Sequence, residues 1–258
     1  MIIDCIADLH GHYPKLEGGD LLIIAGDLTS RDSAKCWINF EKWISKTDYK
    51  KKIIIAGNHD SFLSSRENHL VCKYWNDVEI TYLCDSGVNI FYDHSECTRF
   101  DEDTLNLKDL KRQKLKSLKI WGSPWTKTFG GMNPKCKAFT VDTEEELAQK
   151  FSLIPDDVDI LVTHSPPFGM LDKTMYDDYV GSNSLNYKLL ELKLKLHIFG
   201  HVHESYGECH QGYYSKSGNS ISADLDQNNF IPMGHLSVNA SHVNEHYKPV
   251  NKPVRVIL

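Results

Sequence analysis

Ile53-Ile54-Ile55-Ala56-Gly57-Asn58-His59-Asp60 is an apolar run that ends abruptly in a glycine and three hydrogen-bonding side chains. Consecutive aliphatic residues without polar alternation predict a strand over Ile53–Ala56 that is covered on both faces, as in parallel sheets. Gly57-Asn58 alone is an ordinary turn dipeptide. Packing, however, gives no reason to set an amide, an imidazole and a carboxylate directly behind such a strand. The same design recurs four times: Met1–Ala7 leads to Asp8-Leu9-His10, Leu21–Ala25 to Gly26-Asp27, Val158–Val162 to Thr163-His164, and Leu196–Phe199 to Gly200-His201-Val202-His203. Open α/β sheets bind their ligands outside the carboxyl ends of strands. Five strand ends carrying such groups imply one shared site.

The remaining pattern fits that scheme. Asp32 through Ser45 reads as a helix, with Asp32 as its cap and Cys36, Phe40, Trp43 and Ile44 on one face. Ser61 is placed to cap a helix running to about Cys72, and Glu144–Leu153 predicts another. Short strands are expected at Ile80–Leu83, Val88–Tyr92 and Leu118–Gly122, then at His235–Ala240 and Val254–Leu258. Strand–helix alternation early and β-rich sequence late predict an α/β protein built as a layered sandwich of two sheets flanked by helices. At 258 residues the chain fits one large domain at least as well as two small ones. There is no internal repeat and no low-complexity tract.

Bulk properties exclude several classes. A net charge of −6 argues against a protein that coats nucleic acid, because such binding rests on phosphate neutralisation. A small phosphorylated substrate is left open. The longest apolar runs fall far short of the roughly 20 residues a membrane span needs, and no secretory signal is read at the N-terminus. Seven cysteines, odd in number and without a CxxC pair, fit reduced thiols in a cytoplasmic protein. Two segments are irregular. Residues 93–119 carry Asp101, Glu102 and Asp103 followed by Lys108, Lys111, Arg112, Lys114, Lys116 and Lys119. A solvated face or loop insertion is the favoured reading there, a phosphate patch the lesser one. Residues 205–232, rich in Gly, Ser, Asn and Tyr, read as a loop excursion.

Asp8 and His10, two residues apart in extended chain, project to one side, and so do His201 and His203. Asp27 has the two oxygens needed to bridge a pair of cations, Asn58 offers a carbonyl oxygen, and His164 an imidazole nitrogen. Such a set, mixed oxygen and nitrogen without thiolate, favours Mn, Fe, Zn or Mg-type ions over a structural zinc knot. Two ions ~3.5–4 Å apart would polarise a phosphoryl group and deprotonate a bridging water for in-line attack. The leaving alkoxide then needs a proton, and His59 beside Asn58 is the candidate donor. Asp60 either orients an imidazole or caps the following helix. Each segment by itself is commonplace; the five together are not.

The order Asp-x-His, Gly-Asp, Gly-Asn-His-Asp, His, Gly-His-x-His resembles the calcineurin-like metallophosphoesterases. The resemblance is closer still to their metallophosphoesterase-domain (MPPED-like) branch, marked by Trp121-Gly122-Ser123-Pro124-Trp125, Thr163-His164-Ser165-Pro166-Pro167, Phe199-Gly200-His201-Val202-His203-Glu204 and Asn239-Ala240-Ser241. It implies a four-layer α/β/β/α sandwich of two mixed β-sheets, in a single domain over residues 1–258 with insertions at about 93–119 and 205–232. It implies that Asp8, His10, Asp27 and His203 hold one divalent metal and that Asp27, Asn58, His164 and His201 hold the second. His59 would be the general acid, with Asp60 beside it in the catalytic set. Mn²⁺ is the preferred ion, with Fe, Zn, Ni and Mg as alternatives. The implied reaction is hydrolysis of a phosphodiester by a metal-bound hydroxide without a covalent intermediate, on a small phosphorylated substrate such as a nucleotide or cyclic nucleotide. No membrane and no stable nucleic-acid partner are expected.

The alternatives are a phosphomonoesterase, a nuclease using the Lys108–Lys119 stretch, and a non-catalytic scaffold, which would be expected to have lost ligands that are all present here. No substrate-binding residue is assigned. His12, His69, His94, His197, His210, His235, His242 and His246 are read as surface or packing residues, His12 being the first candidate exception. Ser165 lacks a nucleophile elbow, and Gly18-Gly19 and Gly130-Gly131 lack the rest of a P-loop. Trp125 is read as packing, with stacking on a base as the other option.

Overall fold

The computed structural model describes residues 1–64, 80–92, 116–209, 213–215, 230–232 and 234–258. In chain order its strands are β1 (Ile2–Ile6), β2 (Gly19–Ala25), β3 (Tyr49–Ile55), β4 (Ile80–Tyr82), β5 (Ser86–Tyr92), β6 (Lys116–Ser123), β7 (Thr126–Lys127) and β8 (Thr140–Val141). They continue with β9 (Ile160–Thr163), β10 (Leu196–Phe199), β11 (Gly207–Cys209), β12 (Tyr213–Ser215), β13 (Phe230–Pro232), β14 (Leu236–Asn239) and β15 (Val254–Ile257). The helices are α1 (Ala34–Ile44), α2 (Ser61–Ser64), α3 (Glu144–Phe151) and α4 (Asn183–Glu191).

Alternate residues of the central strands serve two different cores, which is why these strands read as unbroken apolar runs. Ile3, Cys5, Leu21, Ile23, Ile53 and Ile55 point one way and meet Leu118, Ile120, Ile160, Val162, Ile198 and Val238 of a second sheet. Ile6, Leu22, Ile24 and Ile54 point the other way, onto Trp37, Phe40 and Ile44 of α1. On the far side of the second sheet, Leu161 packs with Leu147 and Phe151 of α3 and Leu185 and Leu189 of α4. The layers therefore run α/β/β/α, as the sequence implied.

The first sheet has the order β15-β1-β2-β3-β4, and the second β11-β14-β10-β9-β6-β5. Within each, the central neighbours are parallel (β1-β2-β3-β4 and β6-β9-β10-β14). Antiparallel partners join at the edges: β15 on β1, β5 on β6 and β11 on β14. Registers such as Ile6 with Ile24 and Ala25 with Ile55 bring the carboxyl ends out in step, as do Ser123 with Thr163 and Ile198 with Val162. At that end the two sheets are laced together. Ala7 N–H donates to the Ala240 carbonyl at 2.8 Å, and His242 N–H to the Ala7 carbonyl at 2.8 Å.

Some local expectations need correction. Asp32 does not cap α1; Ser33 does, its Oγ accepting from Cys36 N–H at 3.4 Å. Asp32 sits at φ 51° and instead accepts from Trp37 Nε1 (2.8 Å) and Phe62 N–H (2.7 Å), tying α1 to α2. The inward face of α1 carries Trp37, with Cys36 half-buried and bonded to Ser33. α4 has no clear periodic signature in the sequence, because its buried stripe is only Leu185 and Leu189 while Leu190 is exposed. It is nevertheless capped by Ser182, whose Oγ accepts from Leu185 N–H at 3.1 Å. α3 starts as predicted, in a capping box between Thr143 and Glu146. The helix after Ser61 is described to Ser64, and its expected continuation toward Cys72 lies outside the described residues. Most of 93–119 lies outside them too. Its last residues form β6, where Lys119 pairs with Asp157 at 2.5 Å on a solvated face. The 205–232 excursion contains β11 on the second sheet and the β12-β13 ribbon. Among the described residues no helix is long and apolar enough to cross a membrane.

Candidate metal centre

The chain turns sharply as it leaves β1, β2 and β10, and the turns are made by the polar residues themselves. Asp8 (φ 50°), His10 (43°), Asp27 (53°) and His201 (71°) all adopt the left-handed conformation. Non-glycine residues are uncommon there, and such strain collects at functional sites. Two glycines let backbone approach side chain. A Cβ on Gly57 would overlap Asp27 Oδ1, and one on Gly200 would overlap Asp8 Oδ2. The glycines in Gly57-Asn58 and Gly200-His201 are thus required by the carboxylates they face, not only by the turns they make.

All seven expected metal-binding side chains converge. His10 Nε2 lies 3.3 Å from His203 Nε2 and 3.5 Å from Asp27 Oδ2. His203 Nε2 is 3.6 Å from Asp8 Oδ1. On the other side of Asp27, its Oδ1 is 3.5 Å from His164 Nε2. Asn58 Oδ1 lies 3.0 Å from His164 Nε2 and 3.1 Å from His201 Nδ1. Groups of donor atoms compact enough for one ion are Asp8–His10–His203, Asp8–Asp27–His164 and His10–Asp27–His59. His201 belongs to none of these and reaches the cluster through Asn58. Asp27 is central to both halves.

The hydrogen bonds show what the cluster lacks. His164 Nδ1 faces the Ala25 carbonyl at 3.0 Å, which can only accept, so Nδ1 carries the proton. Asn58 Nδ2 donates to the Cys136 carbonyl at 3.0 Å, fixing the amide with Oδ1 inward. In neutral His164 the Nε2 lone pair therefore confronts two oxygens. Asp8 Oδ2 accepts from His201 N–H (2.9 Å) and Ser241 Oγ (2.6 Å), whereas buried Asp8 Oδ1 has no hydrogen-bond donor. Convergent nitrogen and oxygen donor atoms are what divalent cations satisfy. The residues present fit a pair of such ions.

Electrostatics agree. Burial resists the charge on Asp8, but the His203 side chain and His164 outweigh it and hold the carboxyl at about 2. Burial likewise opposes the charge on Asp27, yet His164, His59 and His10 keep its carboxyl well below the usual range. Burial pushes His10 down to about 4 and, with His164 nearby, His201 to about 3, which favours neutral imidazoles at both positions. Burial would lower His164 as well, but the Asp27 carboxylate lifts it to about 9. The His164–Asp27 pair thus favours positive charge between its members, as a cation site does.

His59 stands at the rim, its side chain 19% exposed, with Nε2 3.9 Å from Asp27 Oδ2 and its N–H donating to Asp27 Oδ1 at 2.9 Å. Asp60 lies behind, fully buried. Its carboxylate accepts from Gly57 N–H (2.8 Å) and Leu28 N–H (3.1 Å), tying the β2 and β3 exits together, and meets backbone amides, not an imidazole. Burial and the Asp27 charge push its carboxyl well above the usual range. The cluster opens into a cleft of about 500 Å³ lined by Asp27, Asn58, His59, His201 and His203, with Thr126, Phe129, Tyr179 and Tyr247 among its walls.

Three of these groups carried no role in the sequence reading. Ser241 follows β14 as the other polar groups follow their strands, so the same signal would have found it. Asn239 Oδ1 accepts from Ser241 Oγ at 2.8 Å. Tyr247 lies in a polar turn with no strand before it, and periodicity is silent about it. The other histidines that are described stay out of the site. His12 is exposed, His197 is buried against Thr163 Oγ1 (2.9 Å), and His242 bonds the Asn251 carbonyl (2.8 Å). Trp125 packs on Phe139 and donates to Asp85 Oδ2 at 2.7 Å, so it is a packing residue.

Two mixed sheets whose parallel strand ends enclose buried carboxylates, imidazoles and an amide define a metal-binding α/β protein. Residues 1–205 match the profile described as calcineurin-like phosphoesterase, and the chain belongs to that family. It is 28% identical over 270 residues to metallophosphoesterase domain-containing protein 1 of Homo sapiens, covering 98% of this chain and 70% of that protein. It is 32% identical over 219 residues to the UPF0046 protein T07D4.2 of Caenorhabditis elegans, covering 81% of this chain and 53% of that one. A solved crystal structure at 14% identity aligns over 92% of this chain and 89% of its own with a TM-score of 0.51, a likeness of fold. Ser241 and Tyr247 lie beyond the matched family region.

Proposed function

We propose that this chain is a dinuclear metal-dependent phosphodiesterase whose substrates are nucleotides or cyclic nucleotides. The observation that carries the reading is the double cluster sharing Asp27, with imidazole nitrogens facing carboxylate and amide oxygens on the floor of an open cleft. Asp8, His10, Asp27 and His203 would hold one divalent cation. Asp27, Asn58, His164 and His201 would hold the other. When bound, the ions, Mn²⁺ by preference, supply the positive charge that draws electron density from a phosphoryl group and acidifies water.

The chain's own groups do the rest. Ser241 and the His201 amide aim Asp8. The Ala25 carbonyl fixes the His164 tautomer. Asp60 braces the turn that presents Asn58 and His59. His59, on the cleft side of Asp27, protonates the departing ester oxygen. Because the two sheets share one core, residues 1–258 are read as one domain. A cytoplasmic setting rests on the irregular, odd cysteine set.

A cleft of about 500 Å³ is of the size that takes a nucleotide-sized ligand. The Mn²⁺-loaded protein should hydrolyse bis-p-nitrophenyl phosphate faster than p-nitrophenyl phosphate. A panel of nucleotides and cyclic nucleotides, read by product identification, then names the ester. Monoester cleavage alone would refute the diester reading, and inertness toward both esters would refute the enzyme.

A further inference from the structure

Tyr247 is placed at a cost that packing does not explain. Its backbone has φ 58°, an outlier for a bulky aromatic residue. A tight turn holds it there: Tyr247 N–H donates to the Asn244 carbonyl (2.8 Å) and Asn244 N–H to the Lys248 carbonyl (2.9 Å). Asn244 Oδ1 accepts from His246 N–H (3.1 Å) and Lys248 N–H (3.0 Å). Yet the side chain is half exposed, at 50%, and fills no core. What the turn achieves is to set the ring over the metal-binding histidines. Its centroid is 4.8 Å from that of His10 and 5.2 Å from that of His203, both edge-on. His59 is 6.4 Å away, and both residues line the cleft. Among the other exposed rings of the cleft, Phe129 stands at the opposite half, 6.3 Å from His201.

We propose that Tyr247 is the wall of the leaving-group subsite, selecting esters whose departing group presents a planar ring. This rests on the reading of His59 as the proton donor. The oxygen that His59 protonates must lie beside it, and the organic group on that oxygen continues along the cleft past His59, where Tyr247 is the adjacent exposed ring. Ring–ring contact rewards an aromatic departing group over an alkyl one.

Phenylphosphonate and methylphosphonate test this, since each carries its organic group where the leaving group would sit and neither can be hydrolysed. Calorimetric titration of the Mn²⁺-loaded protein should show phenylphosphonate binding about tenfold more tightly. Tyr247→Ala should bring the two within about twofold, Tyr247→Phe should keep most of the preference, and Phe129→Ala should leave it intact. Tyr247→Gly should lose the preference yet unfold at no lower temperature than the wild type, since glycine accepts the left-handed turn. A preference that survives Tyr247→Ala, or that Phe129→Ala abolishes, overturns the proposal, as does a wild type that binds both phosphonates equally. A wild type that binds neither and cleaves no phosphoester overturns the underlying phosphoesterase reading as well.

Discussion

Ser241→Ala removes one hydroxyl and probes whether Asp8 is a ligand. Ser241 is fully buried, and its Oγ lies 2.6 Å from Asp8 Oδ2. A hydrogen bond to a charged group is worth about 1.5–3 kcal/mol, and water cannot readily replace it in this wall. The metal-free variant should therefore unfold at a temperature lower by roughly 3–12 °C, taking about 2–4 °C per kcal/mol for a chain of this size. The larger effect should be on metal. With only the His201 N–H left to hold Oδ2, the carboxylate can rotate, and Oδ1 is no longer aimed at the space shared with His203. Loss of such an orienting partner typically weakens metal affinity about 10–100-fold. Isothermal titration with Mn²⁺ on metal-stripped protein measures it, alongside thermal unfolding. A variant that unfolds earlier yet binds Mn²⁺ as tightly as wild type would show that the hydroxyl only packs, and would remove Asp8 from the ligand set.

Asp27→Ala should abolish Mn²⁺ binding and ester hydrolysis together, because both halves of the cluster use this carboxylate; retained binding of one full ion, seen by metal analysis, would break the bridging assignment. His59→Ala should leave metal content unchanged and slow turnover by about 10²–10⁴-fold on alkyl leaving groups, with much less effect on p-nitrophenyl esters; loss of metal on dialysis would make it a ligand. The metal-free protein should lose stability in acid. His10 is buried neutral with its value lowered from 6.5 to about 4, and His201 to about 3. The unfolded chain takes up protons that the fold refuses, so this stability is complete above pH 6.5 and is lost as pH falls toward 4 and 3, by about 3 kcal/mol for His10 alone. His164, raised to about 9, acts oppositely, its contribution being complete below pH 6.5 and lost as pH rises through 9. Urea unfolding of stripped protein between pH 4 and 9 should thus peak near neutrality; a curve still rising at pH 9 would contradict the His164–Asp27 pairing.

The residues that converge in the cluster are legible in the sequence because one physical signal marks them: polar groups placed immediately after strands buried on both faces. Asp32 resembles a cap in the sequence because its partners, Trp37 and Phe62, belong to two different helices; a carboxylate near a helix start looks like a cap until the second helix is in place. Asp60 is ambiguous in the sequence for the same reason, since its partner Leu28 follows a neighbouring strand. α4 escaped notice because two leucines suffice to anchor it once α3 lies alongside. The walls of the cleft were illegible altogether, because Phe129, Tyr179 and Tyr247 sit in loops whose positions depend on what they pack beside.

Those failures share a cause with the site's construction. Asp8 belongs to the first sheet, yet both groups that bind its Oδ2 come from the second, the His201 amide after β10 and the Ser241 hydroxyl after β14. His164, after β9, bonds the Ala25 carbonyl at the end of β2. Each half of the cluster is thus aimed by a group from the opposite sheet, beside the Ala7–Ala240 lacing. A sheet-to-sheet displacement of even one ångström would separate Asp8 from Ser241 and His164 from Ala25 together. The metal-binding geometry is therefore a property of how the two sheets pack, and shared core residues such as Ile55 and Val162 should govern metal affinity without touching the site.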